Sequence, residues 1–301
     1  MPAVFQTAPE TVQTLPSSVA VLSRSFVTLR KGAGPRAPSL DHGLLVRHGV
    51  TLERERIAKY AAVCGFSPAH GVPLTYPHVL AFPLHMLALT RSSFPYPVVG
   101  LVHLENVIRQ RAPLCDGQTV SISVRLADWL AHEKGQAFTI ETAIARGDTP
   151  VWDSVSTYLR IGVKDPQGAP YQGLPADETQ LDLGEKWVLR ADLGRRYARV
   201  SGDYNPIHLS AATAKLLGFP RAIAHGMWTK ARALAAALPP QPLGTAEVRV
   251  AFKTPAFLPG TARYSSAGTS AGMLFEVRDG KGEKPFLRGL LHATPLASPA
   301  V

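Results

Sequence analysis

Residues 197–208 read Tyr197-Ala198-Arg199-Val200-Ser201-Gly202-Asp203-Tyr204-Asn205-Pro206-Ile207-His208, and the last six place a carboxylate, an amide and an imidazole close together. In one continuous helix, residues five apart lie roughly 140° round the axis from each other, so Asp203 and His208 would diverge. The residues around them break the helix. Gly202 tolerates the left-handed backbone that ends a helix, Asn205 is a favoured N-cap, and Pro206 suits the first position of a new helix. Asp203 is therefore expected in a turn and His208 in the first turn of the next helix, where the two side chains can converge. The helix macrodipole favours a neutral His208 there, and a neutral imidazole can take a proton from water. The same residues also serve as ordinary turn and cap chemistry, so the reading depends on what stands elsewhere in the chain.

At 301 residues the chain is long enough for two ordinary domains with real cores. A hydrophobic fraction of 46% and a charged fraction of 18% describe a globular protein rather than a disordered one. Two cysteines, Cys64 and Cys115, form neither a disulfide framework nor a metal-ligand spacing, which suits a reducing cytosol. The net charge of +10 is spread along the chain without a basic block or a nucleic-acid-binding motif. Such a surface favours a phosphorylated or acidic partner over nucleic acid. Residues 1–40 lack the apolar run of a secretory signal or a membrane span. Their Arg24, Arg30, Lys31 and Arg36 raise a mitochondrial transit segment, but Glu10 and several prolines favour an extension packed on the surface.

Four segments follow: the extension 1–40, a first domain 41–165, a connector 166–184 rich in Pro, Gly and acids, and a second domain 185–301. In the first, 51–64 has helical spacing, and strands are expected at 120–126, 138–144 and 155–163. In the second, a helix is expected at 189–200 and strands at 248–252, 274–278 and 286–293. Helix first and strands afterwards describes an α+β unit.

The halves repeat. Tyr60-Ala61-Ala62-Val63-Cys64-Gly65 matches Tyr197-Ala198-Arg199-Val200-Ser201-Gly202, Tyr76-Pro77 matches Phe219-Pro220, and 111–117 matches 254–260. They differ where chemistry would be. Phe66 takes the place of Asp203, the asparagine is missing, and His70 has no acid partner. On this alignment Phe82-Pro83 stands for His225-Gly226, and proline has no N–H to donate. The first half is expected to have lost any reaction and to present an apolar pocket.

The run Ser201-Gly202-Asp203-Tyr204-Asn205-Pro206-Ile207-His208, followed by Phe219-Pro220 and Ala224-His225-Gly226-Met227, resembles the signature of the R-specific enoyl-thioester hydratases, the hydratase 2 or MaoC-like dehydratase family. With the duplication, the resemblance implies a double hot dog, two curved antiparallel sheets each wrapped round a central helix. It implies that Asp203 and His208 bind and activate the water, without settling which is base and which acid. Asn205 would fix the loop. Gly226 would open the central helix, within 221–238, and offer its N–H to the thioester oxygen. No metal or cofactor is implied beyond coenzyme A or phosphopantetheine as part of the substrate. Substrate contacts are expected from Arg109, Arg111, Lys253, Phe66 and Trp228. The partner is an acyl-CoA or acyl carrier protein, with no membrane span, and the assembly a homodimer of double hot dogs. Two rivals remain, a noncatalytic acyl-thioester or carrier-binding subunit and a hot dog thioesterase. The absence of Asp and Glu from 221–238 weighs against the thioesterase.

Overall fold

The computed structural model describes residues 8–31, 40–175 and 179–296. Parts of the expected extension (1–7, 32–39) and connector (176–178) lie outside the described residues. In chain order the elements are β1 (Glu10–Thr11), α1 (Ser18–Val27), β2 (Leu45–Thr51), α2 (Arg54–Cys64), α3 (Tyr76–Thr90), β3 (Leu101–Gln110), β4 (Thr119–His132), β5 (Gly135–Arg146), β6 (Thr149–Ile161) and β7 (Ala169–Pro170). The second half continues with β8 (Glu185–Leu189), α4 (Leu193–Ser201), α5 (Ala211–Leu216), α6 (Gly226–Ala237), β9 (Leu243–Phe252), β10 (Gly260–Thr269), β11 (Gly272–Asp279) and β12 (Pro285–Pro295).

The strands form one sheet in the order β1-β2-β4-β5-β6-β3-β9-β12-β11-β10-β8, with β7 paired to β4. Past β1, the order β2-β4-β5-β6-β3 is mirrored by β8-β10-β11-β12-β9, so the duplication in sequence becomes a duplication in space. The halves join through β3 and β9, which run antiparallel from Glu105↔Ala251 to Gln110↔Ala246. This is the double hot dog.

Each half wraps its sheet round one helix, and those helices read accordingly. α3 is apolar nearly throughout and buries Tyr76, Ala81, Leu84 and Leu89, while α6 buries Met227, Trp228, Ala231, Ala233 and Leu234. A helix apolar on most sides belongs inside a core. Truncating Leu84 or Leu234 to alanine would cost about 2–5 kcal/mol. Repeat-equivalent residues also meet, since the rings of Tyr60 in α2 and Tyr197 in α4 lie 6.1 Å apart. Both of these helices end in a left-handed glycine, Gly65 at φ 84° and Gly202 at φ 76°.

Four expectations are corrected. Leu189 closes strand β8, and the helix expected at 189–200 starts at Leu193. β2, β3, β8 and β10, with the short β1 and β7, were not among the expected strands; β10, Gly260–Thr269, is made largely of small and polar residues. The central helix opens at Gly226, as the resemblance implies, but 222–224, read with it in 221–238, is an extended strap. Ile223 N–H donates to the Ile207 carbonyl (3.0 Å), Ala224 N–H to Ala256 (2.8 Å), and the Ala222 carbonyl accepts from Leu258 N–H (2.7 Å). Finally, Phe82-Pro83 does not stand at the first half's helix start. α3 begins at Tyr76 and Pro83 lies within it, where proline leaves the Val79 carbonyl without its helical partner.

Candidate active site

The loop 202–208 folds as its residues dictate. Gly202 ends α4, and Asp203 Oδ1 accepts from the Asn205 N–H at 3.1 Å. Asn205 Oδ1 accepts from the Ile207 N–H at 3.4 Å, capping a 3-10 turn, Pro206–His208, with proline at its start. Thr213 in α5 donates its hydroxyl to the Pro206 carbonyl at 2.7 Å and holds the turn from behind.

His208 is 8% exposed, and its Nδ1 lies 2.8 Å from the Ile223 carbonyl of the strap. Nδ1 therefore carries the proton and donates it, which leaves the lone pair on Nε2. Burial lowers the His208 pKa below 6.5, against opposing pulls from Asp203 and from the Ile223 bond, so the neutral ring is favoured. The ring stacks on His225 with centroids 3.6 Å apart. His225 is the N-cap residue of α6 and donates from Nε2 to the Asp203 carbonyl at 3.0 Å; its Nε2 is 3.8 Å from Asp203 Oδ2. Burial above all, and then the neighbouring His208, drives its pKa well below 6.5. A neutral His225 thus ties the start of α6 to the aspartate loop.

Gly226 is the first residue of α6, where backbone N–H groups have no intrahelical partner and the helix end is positive. Space there is tight, since a Cβ would meet the Phe252 ring at 3.1 Å and push it by a few tenths of an ångström. Asp203, His208 and His225 bring ligand-type atoms within 4.8 Å of one another, a set that could also hold a metal ion. Two of the four imidazole nitrogens are already committed to backbone carbonyls. The remaining acceptors are the Asp203 carboxylate, His208 Nε2 and the unpartnered His225 Nδ1, and the first two suit a water that donates to both.

Asp203, Asn205, His208 and Gly226 all line one cavity of about 540 Å³. Its other wall comes from the first half: His78, Phe82, His85 and Met86 of α3, His103 of β3 and Tyr158 of β6. Val21, Leu22 and Ser25 of α1 also border it, which gives part of the N-terminal extension a place at the site.

The expected substrate contacts divide. Lys253 is exposed and borders the cavity. Arg109 does not, because Ile108 and Gln110 take the buried face of β3 and leave Arg109 on the other. There it pairs with Glu247 at 2.7 Å and Asp153 at 3.6 Å, and Arg111 pairs with Asp153 too. Phe66 is buried against His70, with ring centroids 5.6 Å apart, and Trp228 is buried with its indole N–H donated to the Val63 carbonyl at 3.0 Å. Neither lines the cavity.

Four residues escaped the sequence reading. His225 appeared there only as part of a motif. Gly194 in α4 leaves room for the His208 backbone, since a Cβ would fall 1.8 Å from the His208 carbonyl oxygen. Tyr158 comes from the half expected to be apolar. Lys230 in α6 is wholly buried and donates to Asn106 Oδ1 at 2.6 Å and to the Asn106 carbonyl at 3.0 Å, with its pKa driven well below 10.5 by burial. A lysine in a central helix without acids was the one available signal.

Comparison with known proteins agrees with this architecture. Residues 176–284 match the MaoC like domain, and residues 51–154 match the FAS1-like, dehydratase domain region. The chain is 34% identical over 262 residues to 3-hydroxyacyl-thioester dehydratase X of Mycobacterium tuberculosis, covering 83% of this chain and 91% of that one. The crystal structure of HtdX from M. tuberculosis superposes with a TM-score of 0.71 at 30% identity, covering 83% of this chain and all of that chain. A MaoC-like dehydratase from Phytophthora capsici, at 22% identity, shares the fold with a TM-score of 0.71 over 87% of this chain and 98% of that one. This chain belongs to the MaoC-like dehydratase family.

Proposed function

We propose that the chain catalyses reversible addition of water to trans-2-enoyl thioesters, giving R-3-hydroxyacyl thioesters. The observation that carries the reading is the convergence of the Asp203 carboxylate, a neutral His208 with its lone pair on Nε2, and the N–H at the start of α6 on one cavity.

The steps follow from those groups. Asp203 and His208 are both acceptors, so each takes one O–H of the same water. The water oxygen bonds to the β-carbon, one of its O–H bonds breaks with the proton passing to the Asp203–His208 pair, and the double-bond electrons move onto the thioester oxygen. The Gly226 N–H stabilises that developing negative charge, the kind of interaction that dominates such reactions. A proton from the Asp203–His208 pair then bonds to the α-carbon, so one water is added and the pair is restored. General acid and base groups of this kind contribute about 10²–10⁴-fold each.

Neither α3 nor α6 carries an Asp or Glu, which disfavours a thioesterase that uses a carboxylate in the central helix. The net charge of +10 and Lys253 at the cavity support an acyl-CoA or acyl carrier protein as substrate. A homodimer and a cytoplasmic location belong to the same proposal, the second supported by two free cysteines. Among the described residues no helix is long and apolar enough to cross a membrane. The test is hydration of crotonyl-CoA, followed by loss of enoyl absorbance and by chiral analysis of the 3-hydroxybutyryl product. No hydration of crotonyl or longer enoyl-CoA would leave the noncatalytic binding subunit as the reading.

A further inference from the structure

The first-half wall of the cavity is not the apolar surface that the sequence suggests. Ring contacts trace it outward from the helix start. Phe252, which crowds Gly226, lies 4.7 Å from the ring of His103; His103 stacks on Tyr158 at 4.3 Å and faces His78 at 6.5 Å; His78 meets His85 at 5.1 Å. His78 and His85 stand seven residues apart in α3, which puts them on one helix face two turns apart. They are the only titratable side chains but one in a helix otherwise chosen for the core, Tyr76 being the other.

These rings are short of partners. His78 Nδ1, His85 Nδ1 and His103 Nε2 are buried and have no hydrogen-bond partner among the described residues. His85 spends its other nitrogen on the Thr142 hydroxyl at 2.7 Å. A buried polar atom is costly unless it is paired, and all three belong to residues that line one cavity. Burial keeps the rings uncharged, with the pKa of His85 held down to about 4 and that of His103 to about 3. Lys230, the nearby amine, is already committed to Asn106. Among the described residues this stretch of wall, away from Lys253, offers neutral donors and acceptors and no available cation, which suits a hydroxyl better than a carboxylate or phosphate.

We propose that His78, His85 and His103 form a subsite for a hydroxyl group carried by the acyl chain, beyond the double bond that is hydrated. This deepens the hydratase reading and rests on it. One hydroxyl can donate to one imidazole and accept from another, and a plain methylene leaves both without a partner.

The experiment compares trans-2-enoyl-CoA isomers of one chain length, each with a hydroxyl at a different carbon, against the unsubstituted parent. With the wild-type protein at least one isomer is expected to exceed the parent in kcat/KM by about tenfold, the value of one net hydrogen bond, with the gain in KM. In His78→Phe and in His103→Phe the advantage is expected to vanish. A parent that beats every isomer in the wild type overturns the subsite, as does an advantage that survives in both variants. Calorimetric binding of the matching saturated hydroxyacyl-CoA and acyl-CoA to the wild type makes the comparison without turnover. Tighter binding of a hydroxylated chain by a protein that hydrates nothing keeps the subsite and sinks the hydratase reading. Equal affinities together with good turnover do the reverse.

Discussion

Gly194 tests whether the site depends on the placement of His208 by α4. It is the second residue of α4, and the His208 backbone runs directly against it. In Gly194→Ala the new Cβ would sit 1.8 Å from the His208 carbonyl oxygen and 2.8 Å from its carbon, where real Cβ contacts essentially never fall below 3.0 Å. The obstacle is backbone, so no side-chain rotation relieves it, and the strands of chain must separate by more than an ångström. Asp203 follows the C-terminal end of α4, while His208 lies across from its start, so this separation changes the spacing of the pair. A misplacement of about 1 Å at a reacting group costs about 10²-fold in rate, and the overpacking costs about 1–3 kcal/mol of stability. The assay is kcat/KM for crotonyl-CoA hydration, read beside the thermal midpoint. Gly268→Ala is the control, because its Cβ would meet nothing within 4 Å. A folded Gly194→Ala protein with wild-type kcat/KM would refute the reasoning.

Burial holds the His208 pKa below 6.5, so the neutral, proton-accepting ring persists to lower pH; the acid limb of kcat/KM is expected below pH 6.5, and a limb centred above that value contradicts the assignment. Gly226→Val puts a branched side chain onto the Phe252 ring, which a Cβ alone already meets at 3.1 Å; turnover is expected to fall at least about a hundredfold, the scale of one lost oxyanion donor, and unchanged kinetics would remove Gly226 from the site. Lys253→Ala is expected to raise the KM for acyl-CoA at low salt and to flatten its salt dependence, while Arg109→Ala, whose guanidinium faces Glu247 and Asp153, leaves KM unchanged; the opposite pattern would move the carrier to the outer face of the sheet.

The loop 202–208 was legible because each of its residues acts locally. Gly202 ends a helix, Asn205 caps a turn and Pro206 starts it, and none of these needs a distant partner to be read. The doubled architecture was legible for a similar reason, since the repeat from Tyr60 and from Tyr197 carries the same helix end. What was lost depends on neighbours remote in sequence. The strap 222–224 reads as helix, yet its backbone bonds go to Ile207, Ala256 and Leu258. Arg109 reads as a carrier contact until the pairing of β3 with β9 sets it opposite Glu247. Gly194 looks like an indifferent residue in a helix, because its reason is a backbone fourteen residues away. His78 and His85 drew no reading of their own within an apolar helix, and only the fold shows that they share a cavity with Asp203.

The central claim is that Asp203 and His208 jointly activate one water. Its most direct test is the single-turnover rate of crotonyl-CoA hydration in Asp203→Asn and in His208→Gln, with circular dichroism and thermal midpoints measured on the same samples. Both variants are expected to fold as the wild type does and to lose at least about a hundredfold in rate, as for removal of a general acid or base. Near-wild-type rates in either folded variant would contradict the account.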